Sequence, residues 1–172
     1  QAGTPVYVQL LGSDPELMAA NARVAAQLGA PGIDLNFGCP AKTVNKSRGG
    51  ATLLRTPAVI YDVCKAVRDA TPPDIPVTAK VRLGFDDDGQ FEDITHNAFA
   101  SGITELTVHA RTKVQAYRAP AHWSTLRSIH NSRGIPVIAN GENWTPSDLL
   151  QCRKVSGCNA FMLARGAVCR PD

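Results

Sequence analysis

The pattern that most restricts what this chain can fold into is a repeated couplet: a short apolar or β-branched run, then a stretch with helical spacing. The apolar runs fall at 6–11, 33–37, 77–83, 105–109, 136–139 and 160–163. Helical patterns fill the gaps at 15–28, 57–70, 91–100, 123–131 and 146–155. Two of these helices open on Thr56-Pro57 and Thr145-Pro146, where a threonine side chain can cap free amides and proline fits the first turn. Gly29, Gly102, Gly134 and Gly157 follow four of the five, at the point where a left-handed residue ends a helix at least cost. Strands alternating with helices predict parallel pairing, and no shift in composition marks a second domain. The chain reads as one α/β domain.

Polar residues gather at one end of the predicted strands. Gln9 lies in the first run, Asn36 and Cys39 close the second, Lys80 and Arg82 the third, His109 and Arg111 the fourth, Asn140 and Glu142 the fifth, and Arg165 follows the sixth. A doubly wound dinucleotide fold would concentrate its signature in one G-x-G-x-x-G turn, and the sequence has none. A (β/α)8 barrel spreads its site over the carboxyl ends of many strands. The predicted fold class is therefore a (β/α)8 TIM barrel, here an incomplete piece of about six β/α units corresponding to strands 3 to 8. The first run starts almost at residue 1 and the last ends near residue 172, so both ends are expected to be cut, with two units preceding residue 1.

Composition narrows the function classes. With 172 residues and 44% hydrophobic content, the chain can bury a good core. Eighteen Lys and Arg against fifteen Asp and Glu leave a net charge of +3, which permits nucleic-acid contact without arguing for it. Five cysteines, an odd number without a C-x-x-C pair, suggest neither a disulfide framework nor a zinc site. A reducing cytoplasm and no metal are expected. No run approaches the roughly 18 apolar residues of a membrane span.

Residues 32–50, GIDLNFGCPAKTVNKSRGG, carry the sharpest local signal. An apolar strand runs into a glycine-rich basic segment, and Gly38 and Pro40 hold Cys39 just beyond the strand's carboxyl end. A lone cysteine is more often a buried structural one, but this position faces the working end of a parallel fold. Lys42, Lys46 and Arg48 add positive charge suited to phosphate contact, against the plain alternative of a solvated loop. Lys80 sits in the apolar setting Ala79-Lys80-Val81, where an unpaired charge is costly. His109, after an apolar run, would by itself read as a satisfied core histidine.

Taken together, VQLLG, DLNFGCPAKTVNKSRGGATLL, AKVRLG, VHARTK, VIANGE and ARGA resemble the flavin-dependent tRNA-dihydrouridine synthases, most nearly the C-type bacterial subgroup. The likeness runs through the whole chain. It implies a partial FMN-binding barrel over residues 1–172, without the family's first two β/α units and its C-terminal helical tRNA-binding domain. It also implies reduction of the C5–C6 double bond of a D-loop uridine in tRNA, with FMN as cofactor and NADPH as electron donor. The intact protein is expected to be a cytoplasmic monomer with tRNA as its partner.

The resemblance assigns roles residue by residue. Cys39 is the counterpart of the acid that protonates uracil C5; free thiols are mostly protonated at neutral pH, and a placed general acid contributes on the order of 10² to 10⁴ in rate. A nucleophilic role is less well supported, because no motif pairs Cys39 with any of the four histidines. Gln9, Lys80 and His109 correspond to contacts with the flavin ring, where a lysine would stabilise the reduced anion. Asn140, Gly141, Glu142, Ala164 and Arg165 correspond to phosphate and ribityl contacts after the last two strands. Ala164 stands where the family usually has glycine, and its methyl group could crowd a close backbone approach. Asn36 and Arg82 match positions that address the target nucleotide, while Tyr117 and Arg118 are placed near substrate by location alone.

Two other readings stay open at this stage. One is another FMN barrel, such as a dihydroorotate dehydrogenase-like enzyme, which shares an Asn-x-x-Cys-Pro segment but not the K-T-V-N and G-G-A-T-L-L continuation. The other is an inactive RNA-binding fragment. The target uridine and the choice of NADPH over NADH are not legible in the sequence.

Overall fold

The computed structural model describes residues 3–129 and 134–169. Six strands alternate with helices: β1 (Val8–Leu10), β2 (Ile33–Asn36), β3 (Val77–Arg82), β4 (Glu105–His109), β5 (Val137–Asn140) and β6 (Ala160–Met162). The helices are α1 (Pro15–Gln27), α2 (Lys42–Lys46), α3 (Pro57–Ala70), α4 (Phe91–Ala100), α5 (Pro146–Ser156) and α6 (Arg165–Cys169), with 3-10 turns at Gly50–Arg55 and Trp123–Ser128.

All strand pairs are parallel, and the spatial order is the chain order, β1 through β6. A doubly wound sheet reverses direction at a switch point; this sheet never does, as in a segment of a TIM barrel. Register carries the period-two alternation from strand to strand. Asn36 pairs with Lys80, Arg82 with His109, and His109 with Asn140, so polar residues of four neighbouring strands share one face.

The opposite face builds the core. Ile33, Leu35, Ala79, Val81, Leu106 and Val108 have no exposed surface, and neither have Ile60, Val63, Cys64 and Val67 of α3. Complete burial of each larger aliphatic side chain stabilises by about 1.5 to 3 kcal/mol. Helix α3 packs between α1 and α4 over this face. Burial pushes the Cys64 thiol up to about 12, so this cysteine behaves as a small hydrophobe.

Several local expectations need correction. The basic segment read as a loop folds into α2 and the first 3-10 turn, because Asn45 Nδ2 donates to the carbonyls of Cys39 (2.9 Å) and Gly49 (3.1 Å) and draws the segment into a coil. Thr145 forms the expected cap, reciprocated by Asp148 in a capping box. The Thr56 side chain makes no cap bond. Its carbonyl instead accepts from Val59 N at 3.0 Å, where the 3-10 turn feeds directly into α3. The helix expected over 123–131 is a 3-10 turn to Ser128, and its last two residues lie outside the described set. Trp123 Nε1 ties the start of that turn to the Gly141 carbonyl at 2.9 Å, and Arg127 ties it to the carbonyls of Lys154 and Val155.

Candidate active site

The strand ends converge on a cavity of about 450 Å³ whose lining includes Gln9, Asn36, Cys39, Lys80, Arg82, His109, Asn140, Gly141, Glu142, Ala164 and Arg165. Eleven of the fourteen residues given an acid, cofactor or tRNA role from sequence thus meet in one place. Lys42, Lys46 and Arg48 do not line it; they are exposed on and just after α2, beside the Cys39 segment.

Cys39 is half-buried and held by its backbone. Asn36 Oδ1 accepts from the amides of Gly38 and Cys39, each at 3.0 Å, a side-chain turn that fixes the chain as it leaves β2. Gly50 closes the segment from behind. Its φ is +60°, and a Cβ there would lie 2.8 Å from the Cys39 carbonyl oxygen, so only glycine fits.

Arg82 is 2% exposed and clamps this segment to the next loop. Its Nε donates to the Gly38 carbonyl at 2.8 Å, and its Nη1 to those of Thr112 and Ala116 at 3.1 and 3.0 Å. Much of its donor capacity is therefore spent on backbone. Asn36 is engaged at both ends as well, since its Nδ2 donates to Gln9 Oε1 at 3.0 Å. Asn140 Nδ2 donates to the Met162 carbonyl at 2.8 Å, joining the ends of β5 and β6.

Cations outnumber anions in the cavity lining, Lys80, Arg82, Arg111 and Arg165 against Glu142. Burial, with Arg82 adding to it and Asp34 opposing, brings Lys80 down to about 8. Burial first, and then Arg82, Lys80, Arg111 and Arg165, brings His109 down to about 3, so the imidazole is neutral. Arg111 Nη1 lies 3.2 Å from His109 Nε2. A guanidinium can only donate, so Nε2 accepts and the ring proton sits on Nδ1.

Arg111 is 1% exposed and forms an ion pair with Glu142, which adopts a left-handed φ of 63°. The sequence showed Arg111 at a strand end without assigning it to the site; a buried arginine becomes visible only through this long-range partner. Asn143 and Trp144 also line the cavity and were missed, while Tyr117, placed by location alone, does face it. The Arg165 guanidinium lies over the rings of both Tyr117 (5.1 Å) and Trp144 (4.8 Å). Arg118 is exposed and donates to the Val114 carbonyl at 3.1 Å, outside the cavity lining.

The cavity has features suited to an anionic ligand beyond its charge. Arg111 Nε and both amide atoms of Asn143 are buried with no partner in the chain, a rare state for native polar groups. At Gly141, φ is +110° and a Cβ would meet His109 Cδ2 at 2.8 Å; at Gly166 it would meet the Asn143 carbonyl oxygen at 2.6 Å. Ala164 has no left-handed φ, so its methyl group brings no backbone strain.

A family model described as dihydrouridine synthase (Dus) matches residues 1–172. The chain belongs to the dihydrouridine synthase family. It is 56% identical over 172 residues to the tRNA-dihydrouridine(16) synthase of Pseudomonas putida, covering 99% of this chain and 53% of that protein. It is 51% identical over 171 residues to the enzyme of the same name from Neisseria meningitidis serogroup B, covering 99% and 51%. This dihydrouridine synthase chain thus spans about half the length of the curated relatives it matches. Among solved structures, a putative dihydrodipicolinate synthase family protein from Coccidioides immitis superposes with a TM-score of 0.62 at 18% identity, over 92% of this chain and 51% of that one. A putative mandelate racemase/muconate lactonizing enzyme from Roseovarius nubinhibens gives 0.60 at 17%, over 96% and 40%. At that identity the likeness concerns the fold alone, and it agrees with a TIM-barrel segment.

Proposed function

We propose that the protein containing this chain is a tRNA-dihydrouridine synthase that reduces the C5–C6 bond of a D-loop uridine, with Cys39 protonating C5. The observation that carries this reading is the placement of Cys39: a thiol at the mouth of a cationic cavity, its backbone amide and that of Gly38 held by Asn36 and its carbonyl packed on Gly50. The relatives' names specify position 16, which is the position proposed here. No helix among the described residues is long and apolar enough to cross a membrane, and none of their His, Cys, Asp and Glu side chains group as a metal site.

The residues present fit FMN. Four cations, Lys80, Arg82, Arg111 and Arg165, surround the cavity, and the unpartnered Arg111 and Asn143 atoms offer hydrogen bonds. Gly141 and Gly166 allow close backbone approach. In this reading Asn140, Gly141, Glu142, Ala164 and Arg165 hold the phosphate and ribityl chain, and Gln9, Lys80 and His109 meet the ring. Bound there, FMN supplies hydride equivalents drawn from NADPH for uracil C6.

The chain's own groups supply the rest. Lys80 offsets negative charge on the bound ring, and its lowered pKa records how dry its setting is. Neutral His109 offers an Nδ1–H donor without adding charge. Asn36 retains one N–H for the base edge, and Arg82 and Tyr117 flank the base. The Cys39 thiol gives its proton to C5, and the thiolate regains one from solvent. Lys42, Lys46 and Arg48 contact the RNA backbone outside the cavity.

The test is to reduce the cofactor of the intact protein and follow its reoxidation with and without unmodified tRNA. Acceleration by tRNA is expected. Acceleration only by a small pyrimidine acid would instead identify a dihydroorotate dehydrogenase-like enzyme.

A further inference from the structure

Behind Cys39 runs a chain of side-chain hydrogen bonds that links three strands, through Gln9 on the exposed edge strand β1. Thr78 Oγ1 on β3 donates to Asp34 Oδ1 at 2.8 Å, and Gln9 Nε2 on β1 donates to Asp34 Oδ2 at 2.6 Å. Gln9 Oε1 then accepts from Asn36 Nδ2 at 3.0 Å, and Asn36 Oδ1 accepts from the amides of Gly38 and Cys39. The two ends of this chain fix its polarity. A carboxylate can only accept and a backbone N–H can only donate, so each of the two amides between them has a single orientation that satisfies both neighbours.

We infer that Asp34 is a positioning residue for Cys39, acting through the ordered amides of Gln9 and Asn36. This deepens the reading of Cys39 as proton donor and rests on it. Asp34 and Gln9 are register partners, and Asn36 is two residues beyond Asp34 on the same face of β2. The three side chains therefore form a triangle across two strands, with the reacting segment hung from its upper corner. Removing the carboxylate frees the Gln9 amide to rotate. Asn36 can then turn its donors toward the donors of Gly38 and Cys39, which releases the thiol from its set position. The hydrogen bonds to a charged acceptor are the stronger ones in such a chain, which places the anchor at Asp34.

Amide hydrogen exchange in the intact protein labelled with 15N-cysteine tests this without substrate or cofactor. Cys39 is the reporter, and Cys64, in the buried middle of α3, is the control for global opening. Gln9→Glu sets two carboxylates against each other and is expected to speed Cys39 exchange by about tenfold or more while Cys64 stays protected. Adding Asp34→Asn restores a complete chain. The carboxylate at position 9 then accepts from the amides at 34 and 36, and the amide oxygen at 34 accepts from Thr78. Recovery of Cys39 protection in the double variant supports the inference. Unchanged exchange in Gln9→Glu, or no recovery in the double variant, would overturn it.

Asp34→Ala covers the case in which Gln9→Glu unfolds. It should speed Cys39 exchange and lower kcat on unmodified tRNA about tenfold with KM unmoved; a KM change with kcat intact would contradict a positioning role. If exchange behaves as expected but Cys39→Ala retains full turnover, the positioning stands and the proton-donor reading falls.

Discussion

The same strands present two faces with opposite duties. On β2, β3 and β4 the outward residues Ile33, Leu35, Ala79, Val81, Leu106 and Val108 have no exposed surface and belong to one apolar core cluster. The inward residues Asp34, Asn36, Arg82 and His109 are polar and bonded to other side chains or to backbone, and half-buried Lys80 lies among them. A β-strand turns alternate side chains to opposite sides, so packing and chemistry can be tuned independently. The outward face stabilises through burial alone. The inward face holds cations and a dehydrated lysine that oppose folding, in a geometry suited to an anionic ligand.

This contrast can be broken first on the outward side. Leu106→Ala deletes a fully buried side chain and should cost about 2 to 5 kcal/mol in denaturant unfolding, with turnover per folded molecule retained. Lost turnover at normal stability would mean the faces are not independent.

On the inward side the sign reverses. Folding lowers Lys80 from 10.5 to about 8, mainly by burial. Between these values the unfolded chain binds the proton and the folded chain does not, so stability rises with pH across that window and the full cost is present below pH 8. Lys80→Met should therefore stabilise at pH 7 by on the order of 1 to 3 kcal/mol, with most of the gain gone by about pH 10. The same variant should lose activity. Equal destabilisation at both pH values would contradict the account.

Smaller effects sharpen the comparison where neither face is involved. Thr145→Ala removes the capping box of α5 and should lower stability by about 1 kcal/mol, leaving cofactor binding and turnover unchanged. Thiol alkylation separates accessible from core cysteines without mutation. Cys39 and the exposed Cys169 should react with iodoacetamide near neutral pH. Cys64 and Cys152, raised by burial to about 12 and about 11, should not.

The apolar runs announced the strands because the outward face is nearly continuous in hydrophobicity, and the polar strand ends announced the site because each run breaks on the same side. What stayed hidden was whatever depends on partners far along the chain. Asn36 and Arg82 could be placed at the site from sequence, but not their backbone duties, which need Gly38, Thr112 and Ala116 brought alongside. Arg111 gave no local sign that Glu142, 31 positions on, would neutralise it. The α2 helix was hidden for a different reason: it buries no residue, so it lacks the apolar spacing by which helices are recognised, and Asn45 holds it through backbone carbonyls.

In the proposed reaction the inward face delivers a proton from Cys39 to the substrate base, and single-turnover reduction of unmodified tRNA with Cys39→Ala in the intact, FMN-loaded protein is its sharpest test. FMN and tRNA should still bind while the rate falls by roughly 10² to 10⁴. A rate equal to wild type would contradict it.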